Sequence, residues 1–201
     1  MKFIETPEEL SQVYGTPAAA ATRKVARQMT PDYRTWIERA RFCVVSTVGP
    51  EGADGSPRGD DGPVVRELDP GTLALPDWHG NNRVDTLRNI VRDPRMALMF
   101  MVPGSNNVVR VNGRGRVTTD ADLCASFARG GKQPRSVVVM QIDEIYFQCA
   151  RAVMRAGLWA GRDESEGLPS PGQILAGMTE GKVGGERYDR EWPERAAKTL
   201  W

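Results

Sequence analysis

The stretch DWHGNNRVDTLRNIVRDPR at residues 77–95 places a cation where a helix is expected to begin. Asn82 is a typical helix-capping residue, and Asp85 follows three positions later. Arg83 would then be the first helical residue, although a helix N-terminus carries roughly +0.5 of an elementary charge and favours anions. Either Arg83 and the free backbone N–H groups bind a phosphate, or Asp85 neutralises Arg83 and the loop merely turns. The motif alone favours the second interpretation, because such motifs often match by chance.

A second group of arginines lies in NVVRVNGRGRVTT, residues 107–119. Strand alternation places Arg110, Arg114 and Arg116 on one face, opposite a face of valines and glycines. This cationic face suits an anionic ligand or a partner subunit, and a solvated outer face of a sheet explains it equally well. Gly113 and Gly115 indicate that a backbone or a flat ligand approaches closely there.

Two further arginines flank the first predicted hairpin. Arg58 belongs to the turn-forming run GPEGADGSPRGDDGP, and Arg66 belongs to the predicted strand VVREL at 64–68. Arg66 alternates with Val64 and Leu68, so its side chain is expected on an apolar face, where an arginine needs a partner. The acids available for that pairing are Asp60, Asp61 and Asp77.

The stretch FQCARAVMRAGLW, residues 147–159, spaces Arg151, Arg155 and Trp159 four apart, which predicts one helical face. Trp159 either stacks on a planar ligand or packs in a core or an interface. His79 lies beside Trp78 in a loop rich in Gly and Asn, where it either polarises a ligand or is simply exposed. Together, the arginines, the helix start and the aromatic side chain suit a phosphorylated, planar, aromatic cofactor.

The elements that must position these residues are helices first and strands afterwards. Thr-Pro pairs predict three helix starts within residues 1–40, at Thr6, Thr16 and Thr30. Strand-like runs follow at 42–48, 64–68, 72–76, 95–102, 107–119 and 136–150, the last as one strand or two with a bend. Short helices are predicted at 83–92 and, behind Asp120, at 121–129. Hairpin connections between most strands favour an antiparallel barrel.

We expect a single domain over residues 1–201, with N-terminal helices at 1–40, a barrel core at 41–160 and a C-terminal extension at 161–201. The extension ends in an amphipathic tail that contains Trp192 and Trp201.

Composition excludes several classes of protein. The 27 Lys and Arg residues nearly balance 26 Asp and Glu residues, whereas a nucleic-acid-binding protein should show a basic surplus. The single histidine argues against a histidine-based metal site, and three scattered cysteines fit a reducing cytosol. The N-terminal residues lack the apolar segment of a signal peptide, and the longest apolar run, MALMFMV, is too short to span a bilayer. We therefore expect a soluble cytoplasmic protein with no metal and no nucleic-acid or membrane partner.

Several segments, in order, resemble one known family: SPRGD, VVRELD, TLALPDWHGNNRVDTLRNIVRDPRMALMF, RVNGRGRV and EIYFQCARAVMRAGLW. Over about residues 40–160 the chain is similar to the pyridoxamine 5′-phosphate oxidase-like flavoproteins of the FMN-binding split-barrel superfamily, and most similar to a bacterial branch of PPOX-type proteins. The resemblance implies a mostly β fold with peripheral helices, namely a six-stranded antiparallel split β-barrel. It also implies a homodimer that binds FMN at the subunit interface.

The resemblance implies roles for individual residues as well. Arg83, preceded by Asn82, matches the arginine that holds the FMN phosphate, but Val84 replaces the second basic residue that often follows it. Arg58 or Arg66 is therefore expected to complete the phosphate site. The cofactor-binding set implied in this way is Arg58, Arg66, Pro76, Asp77, Asn82, Arg83, Asn107, Arg155 and Trp159, with the last two reaching the FMN of the partner subunit.

One departure from the family bears on the substrate. The C-terminal Arg-x-His element of the true oxidases is not recognisable, so we do not expect pyridoxamine phosphate to be the substrate. Related split barrels bind deazaflavin F420 or haem, and the lack of a haem-ligating histidine set leaves F420 as the competitor. The leading hypothesis is an FMN-dependent oxidoreductase acting on a small molecule, in which no side chain needs to be a nucleophile. The alternatives are a flavin sensor or reservoir, an F420-binding reductase and a cofactor-free interaction domain.

Overall fold

The chain begins with three helices, which precede the sheet. The computed structural model describes residues 1–199, so Trp201 lies outside the described residues. The three helices are α1 (Pro7–Val13), α2 (Ala19–Arg23) and α3 (Pro31–Glu38). Thr6 and Thr30 cap α1 and α3 as predicted, each accepting a hydrogen bond from the backbone N–H three residues later. The prediction at Thr16 is wrong, because α2 begins only after Ala18 and has no side-chain cap among the described residues.

Seven antiparallel strands form one sheet in the order β2-β1-β5-β6-β7-β4-β3. They are β1 (Phe42–Gly49), β2 (Gly52–Gly59), β3 (Arg66–Asp69), β4 (Thr72–Asp77), β5 (Arg95–Met101), β6 (Val108–Thr118) and β7 (Ser136–Gln148). The predicted architecture, an antiparallel sheet with peripheral helices, is confirmed. The predicted strand number is wrong, since the sheet has seven strands rather than six and does not close into a barrel within residues 1–199.

The additional strand is β2, in a run that the sequence analysis assigned to a turn. β2 pairs with β1 over its whole length, from Phe42 opposite Gly59 to Gly49 opposite Gly52. Its glycines and Pro57 have low strand propensity, which is why local sequence predicts a turn. Because β2 is an edge strand, Pro57 can be accommodated without removing a hydrogen bond from the interior of the sheet.

Five more helices complete the fold. They are α4 (Asp85–Arg92), α5 (Ala121–Ser126), α6 (Arg151–Ala156), α7 (Pro171–Met178) and α8 (Gly185–Lys198). Asp120 caps α5 as predicted. In the C-terminal extension α7 and α8 pack against each other, and the Asp189 carboxylate joins them by accepting hydrogen bonds from the Ser170 hydroxyl at 2.5 Å and the Gly172 N–H at 2.8 Å.

The alternation predicted for β6 is confirmed. Val109 and Val111 are buried, whereas Arg114 and Arg116 on the opposite face are exposed. The close approach at Gly113 is made by a backbone, because a Cβ there would collide with the carbonyl oxygen of Gln141 on β7. β7 itself is one continuous strand, and its register against β6 shifts once, next to Gly113.

Among residues 1–199 no helix is both long enough and apolar enough to cross a membrane.

Candidate functional site

Curvature of the sheet brings its edge strand β2 towards β4, although four strands separate them in the sheet order. The Arg58 guanidinium on β2 lies 3.6 Å from the Asp77 carboxylate at the end of β4. A cavity of about 530 Å³ lies along this junction, bounded by β2, the end of β4, the 78–84 loop, the first turn of α4 and the start of β7. Sites for small molecules and cofactors typically enclose about 300–1,000 Å³. The cavity is therefore large enough for such a ligand.

The cavity collects part of the predicted cofactor-binding set. Five of the nine predicted residues line it: Arg58, Pro76, Asp77, Asn82 and Arg83. The other four do not line it: Arg66, Asn107, Arg155 and Trp159.

The helix start differs from its prediction by two residues. Asp85 is the first residue of α4 and Val84 precedes it as the capping residue, so Asn82 is not the cap and Arg83 is not helical. Asn82 instead adopts a left-handed conformation with φ of 62°, which asparagine tolerates better than most residues. The turn at Asn82 delays the helix and leaves Arg83 on the loop beside it.

Arg83 is held by the nearest acid. Its Nε donates to Asp85 Oδ2 at 2.5 Å, and 80% of its side chain is exposed. The hydrogen bond from Arg83 lowers the pKa of Asp85, and the same bond raises the pKa of Arg83. The pairing with Asp85 that the sequence offered as one alternative is therefore present in the structure.

The N-terminus of α4 opens onto the cavity. Side chains of Thr6, Thr30, Asp120 and Ser170 cap α1, α3, α5 and α7, but within the described part of the chain no side chain caps α4. Val84 and the first three residues of α4 line the cavity. The first backbone N–H groups of a helix have no partner within the helix, so they are available to an anion at this edge of the cavity.

Arg58 and Asp77 form the opposite wall. Arg58 Nη1 also donates to the Ser56 hydroxyl at 2.5 Å, which fixes the guanidinium along β2. Burial raises the pKa of Asp77, and the nearby guanidinium groups of Arg58 and Arg135 oppose that rise. Asp77 is thus a half-buried carboxyl group with two guanidinium groups nearby.

Arg135 is a cavity residue that the sequence analysis missed. It lies just before β7, lines the cavity and donates from Nη1 to Asn82 Oδ1 at 2.7 Å. Its backbone N–H donates to the carbonyl oxygen of Asp77 at 3.2 Å. The run GGKQPR marks the end of a loop, but its partners lie more than fifty residues earlier, and no local spacing indicates that distance.

Four aspartates and three arginines of the described chain line the cavity. Within residues 1–199 its lining contains Arg58, Arg83, Arg135, Asp54, Asp60, Asp77 and Asp85. The Asp60 side chain is only 3% exposed and lies 2.9 Å from Arg129, and the Asp54 carboxylate accepts from the Thr86 hydroxyl at 2.5 Å. An anionic ligand would have to draw arginines away from acids that already hold them.

Arg66 does not line this cavity, and its partner is Ser126 rather than one of the acids offered by the sequence. Its guanidinium donates to the Ser126 hydroxyl and to the Ser126 carbonyl oxygen, both at 2.8 Å. The same group stacks 3.8 Å from the ring centre of Phe127. The α5 segment supplies this partner on the outer side of β3, so Arg66 is exposed and does not need an acid.

Asn107 and Trp159 meet at the β5–β6 hairpin, around Ser105, and we call these three residues the hairpin-end cluster. Trp159 Nε1 donates to the Ser105 carbonyl oxygen at 2.7 Å, and the Ser105 hydroxyl donates to the Asn107 carbonyl oxygen at 3.5 Å. The predicted helical face is wrong for Trp159, because α6 ends at Ala156 and Gly157 turns left-handed with φ of 58°. Arg155 is exposed on α6.

The remaining chemistry-bearing side chains add little to the cavity. His79 is exposed at its edge. Within residues 1–199 no group of three His, Cys, Asp or Glu side chains is arranged to hold a metal ion. The charged side chains that line the cavity are those of arginine and aspartate.

Comparison with solved structures finds several similar chains, of which the first below supports the fold. HupZ from Group A Streptococcus is 18% identical with a TM-score of 0.50, over 59% of this chain and 98% of that chain. General Stress Protein 26 from Bacillus anthracis is 17% identical with a TM-score of 0.44, over 57% and 88% of the two chains. An F420 reductase is 16% identical with a TM-score of 0.42, over 60% and 98%. At these identities the likeness concerns the fold alone.

Comparison with curated proteins gives no match. The sequence pattern of the pyridoxamine 5′-phosphate oxidase family, in contrast, matches residues 29–149, which include every strand and α4. This match covers more than half of the chain, and the protein therefore belongs to the pyridoxamine 5′-phosphate oxidase family.

Proposed function

We propose that this protein binds FMN in the cavity between β2 and β4 and is an oxidoreductase that acts on a small molecule. The observation that supports this most directly is the convergence of Arg58, Arg83 and Arg135 on one cavity whose edge is the uncapped start of α4. The family match supports the same cofactor class, since flavin is typical of that family.

The polar end of the cavity suits the FMN phosphate. Arg83 and the first backbone N–H groups of α4 offer donors at one edge, and guanidinium groups form short, strong hydrogen bonds to phosphate. Arg135 lies beside Arg83 through its contact with Asn82 and supplies a second cation where Val84 supplies none. Arg58 supplies a third from β2. These residues would bind and orient the phosphate.

The inner wall suits a flat ring. Val64, Leu75 and Pro76 are buried and line the cavity, and apolar side chains of this kind exclude water from the face of a planar ligand that they contact. Asp77 is placed to make a polar contact at the end of β4. FMN, when bound, supplies hydride or electron transfer, and the side chains need only bind, orient and polarise the ring.

We also propose that the active form is a homodimer in which the hairpin-end cluster and Arg155 complete the cavity of the partner subunit. Trp159 and the neighbouring Leu158 and Met154 are exposed, with 36%, 49% and 62% of their surface accessible. Exposed apolar side chains that lie close together mark interaction surfaces more often than side chains scattered singly. This surface is the main support for the dimer.

Cofactor content tests the proposal. The purified protein is expected to be yellow and to release FMN on denaturation, identified by mass. After removal of the ligand, FMN and F420 are offered separately, and Arg83→Ala is compared with Arg66→Ala, whose guanidinium lies on α5. FMN uptake that Arg83→Ala weakens and Arg66→Ala preserves supports the site. Colourless protein that fails to take up FMN contradicts the proposal. Preferential uptake of F420 would show that the cofactor is F420 rather than FMN.

Reduction of the bound cofactor tests the oxidoreductase. NAD(P)H is added without oxygen, and reoxidation is then followed with candidate acceptors. Bleaching and recovery of the flavin absorbance support turnover. Persistent inertness indicates a flavin-binding sensor or reservoir, and Arg83→Ala protein with unchanged ligand content indicates an interaction domain.

A further inference from the structure

The Asp85 carboxylate holds two arginines at once, one on each oxygen. Arg83 Nε lies 2.5 Å from Oδ2, and Arg88 Nη1 lies 3.6 Å from Oδ1. Arg83 and Asp85 belong to the cofactor cavity and also to an adjoining trough of about 390 Å³, which Arg88 lines as well. Asp85 therefore stands at the junction between the two spaces.

The position of Asp85 is also one that an anion from outside would favour. Asp85 is the first residue of α4, whose N-terminus has no side-chain cap among the described residues. A negative group near a helix N-terminus is stabilised by the helix dipole. The Asp85 carboxylate thus lies at the helix N-terminus, where the helix dipole would also favour a bound phosphate.

We propose that Asp85 is an internal anion that competes with the phosphate of the ligand for Arg83, and so sets how strongly the site prefers phosphorylated ligands. In this exchange Arg83 would leave Asp85 and bind the phosphate, while Asp85 would stay paired with Arg88 through its other oxygen. This inference rests on the proposed placement of the FMN phosphate at Arg83. It predicts that removing the charge of a residue in the binding site strengthens binding.

Asp85→Asn tests the competition directly. We expect its affinity for FMN to rise about two- to fivefold, which is the range of an exposed ion pair, while its affinity for uncharged riboflavin stays the same. Quenching of flavin fluorescence measures both affinities on protein stripped of ligand. Thermal unfolding monitored by circular dichroism confirms that the variant is folded over the temperature range of the titration.

Asp93→Asn is the matched control. Asp93 follows the other end of α4 and pairs with Arg95 at 2.5 Å, and both residues lie outside the two spaces. Loss of that carboxylate is expected to leave the FMN and riboflavin affinities unchanged. A rise equal to that of Asp85→Asn would mean that net charge alone is responsible and would overturn the proposal.

Arg88→Ala tests the second half of the exchange. In the wild-type background we expect FMN to bind about two- to fivefold more weakly, because Asp85 then has only Arg83 as a partner. In the Asp85→Asn background Arg88→Ala should have a smaller effect, because no carboxylate remains to be retained. Equal effects in the two backgrounds would overturn the exchange.

Inorganic phosphate separates this inference from the proposed function. A ligand that binds only the folded state raises the unfolding temperature, so phosphate should stabilise Asp85→Asn more than wild type, whether or not the protein binds flavin. Failure of both proteins to bind FMN would contradict the proposed function, and the phosphate result would still decide the role of Asp85. Weaker FMN or phosphate binding by Asp85→Asn, or an equal gain for riboflavin, would overturn it.

Discussion

The cavity wall and the hairpin-end cluster contain side chains of similar type but differ in construction. The cavity wall draws on β2, β4, the 78–84 loop, α4 and the residue before β7, and its arginines come from three of these elements to line one open cavity. The hairpin-end cluster consists of Ser105, Asn107 and Trp159, joined by contacts around one turn and exposed to solvent. The first region borders a cavity within one protomer. The second presents a surface, which in the proposed homodimer would complete the cavity of the partner subunit.

The largest expected effect is on FMN affinity, which should depend on an arginine that lines the cavity but not on an arginine outside it. Arg58→Ala should weaken FMN binding about 10- to 150-fold, because a hydrogen bond to a charged group contributes about 1.5–3 kcal/mol. Arg66→Ala should leave FMN affinity unchanged, since the Arg66 guanidinium contacts Ser126 and Phe127. Fluorescence titration of both variants checks the difference. Equal losses would contradict the assignment of Arg58, and not Arg66, to the phosphate site.

The next effect concerns how α4 is attached to the cavity wall. Thr86 is buried, and its hydroxyl donates a hydrogen bond to the Asp54 carboxylate on β2. Thr86→Val keeps the shape of the side chain but removes this donor. We expect a loss of about 1–3 kcal/mol in the free energy of unfolding, measured by urea denaturation, and weaker FMN binding as α4 loosens. The control is Thr35→Val, since the Thr35 hydroxyl contacts only its own helix and is exposed.

For Thr35→Val a change within about 0.5 kcal/mol is expected, as for most surface substitutions. Equal losses in the two variants would mean that the Thr86–Asp54 hydrogen bond has no special role in fixing α4.

These variants also show which parts of the molecule were predictable from sequence. The caps at Thr6, Thr30 and Asp120 and the β3–β4 hairpin depend on neighbours within a few residues, so spacing alone predicted them. β2 was missed because its strand conformation comes from pairing with β1, against its own weak propensity. Arrangements of this kind depend on tertiary contacts that a local pattern does not contain.

The candidate site was predictable to a lesser degree. Arg83 was found because an arginine near a helix start is unusual, and Arg58, Pro76 and Asp77 through the family resemblance. Arg66 was assigned to the cofactor through the family resemblance, and to an internal acid by strand alternation. Alternation predicts a face but not which element covers it, and Ser126 of α5 supplies the partner. Arg135 gave no signal, because it meets Asn82 only through the pairing of β7 with β4, which local spacing does not reveal.

A smaller effect tests whether the hairpin-end cluster acts on a partner subunit. Trp159→Ala is expected to weaken FMN binding about two- to tenfold, the range of an aromatic contact worth about 0.5–1.5 kcal/mol, although Trp159 lies outside the cavity of its own protomer. Trp192→Ala is the control, because Trp192 is exposed on α8 and stacks on Tyr188.

Titrations at two protein concentrations, together with sedimentation velocity, relate affinity to dimer formation. A dimer whose FMN affinity does not respond to Trp159→Ala would show that the hairpin-end cluster does not reach the cavity.

The smallest effect is a pH dependence, and it belongs to the cavity wall, since the hairpin-end cluster contains no carboxyl group. Burial raises the pKa of Asp77 above its usual 3.8, so the folded chain holds that proton more tightly than the unfolded chain does. The stability that protonated Asp77 contributes is therefore lost as pH rises from about 3.8 through the raised pKa. Asp77→Asn cannot ionise and escapes this loss, so its unfolding temperature should gain on wild type across that window.

Asp85 provides a contrast of opposite sign on the same wall. Its pKa is lowered by the hydrogen bond from Arg83, so its contribution to stability is present above pH 3.8 and is lost as pH falls through the lowered value. As pH rises, the unfolding temperature of Asp85→Asn should therefore fall relative to wild type, whereas that of Asp77→Asn should rise relative to wild type. Thermal melts between pH 2 and pH 7 would measure both trends. Trends of the same sign would show that the two carboxyl groups do not differ in this way. The proposed phosphate site depends on that difference, with Asp77 half-buried near Arg58 and Asp85 hydrogen-bonded to Arg83.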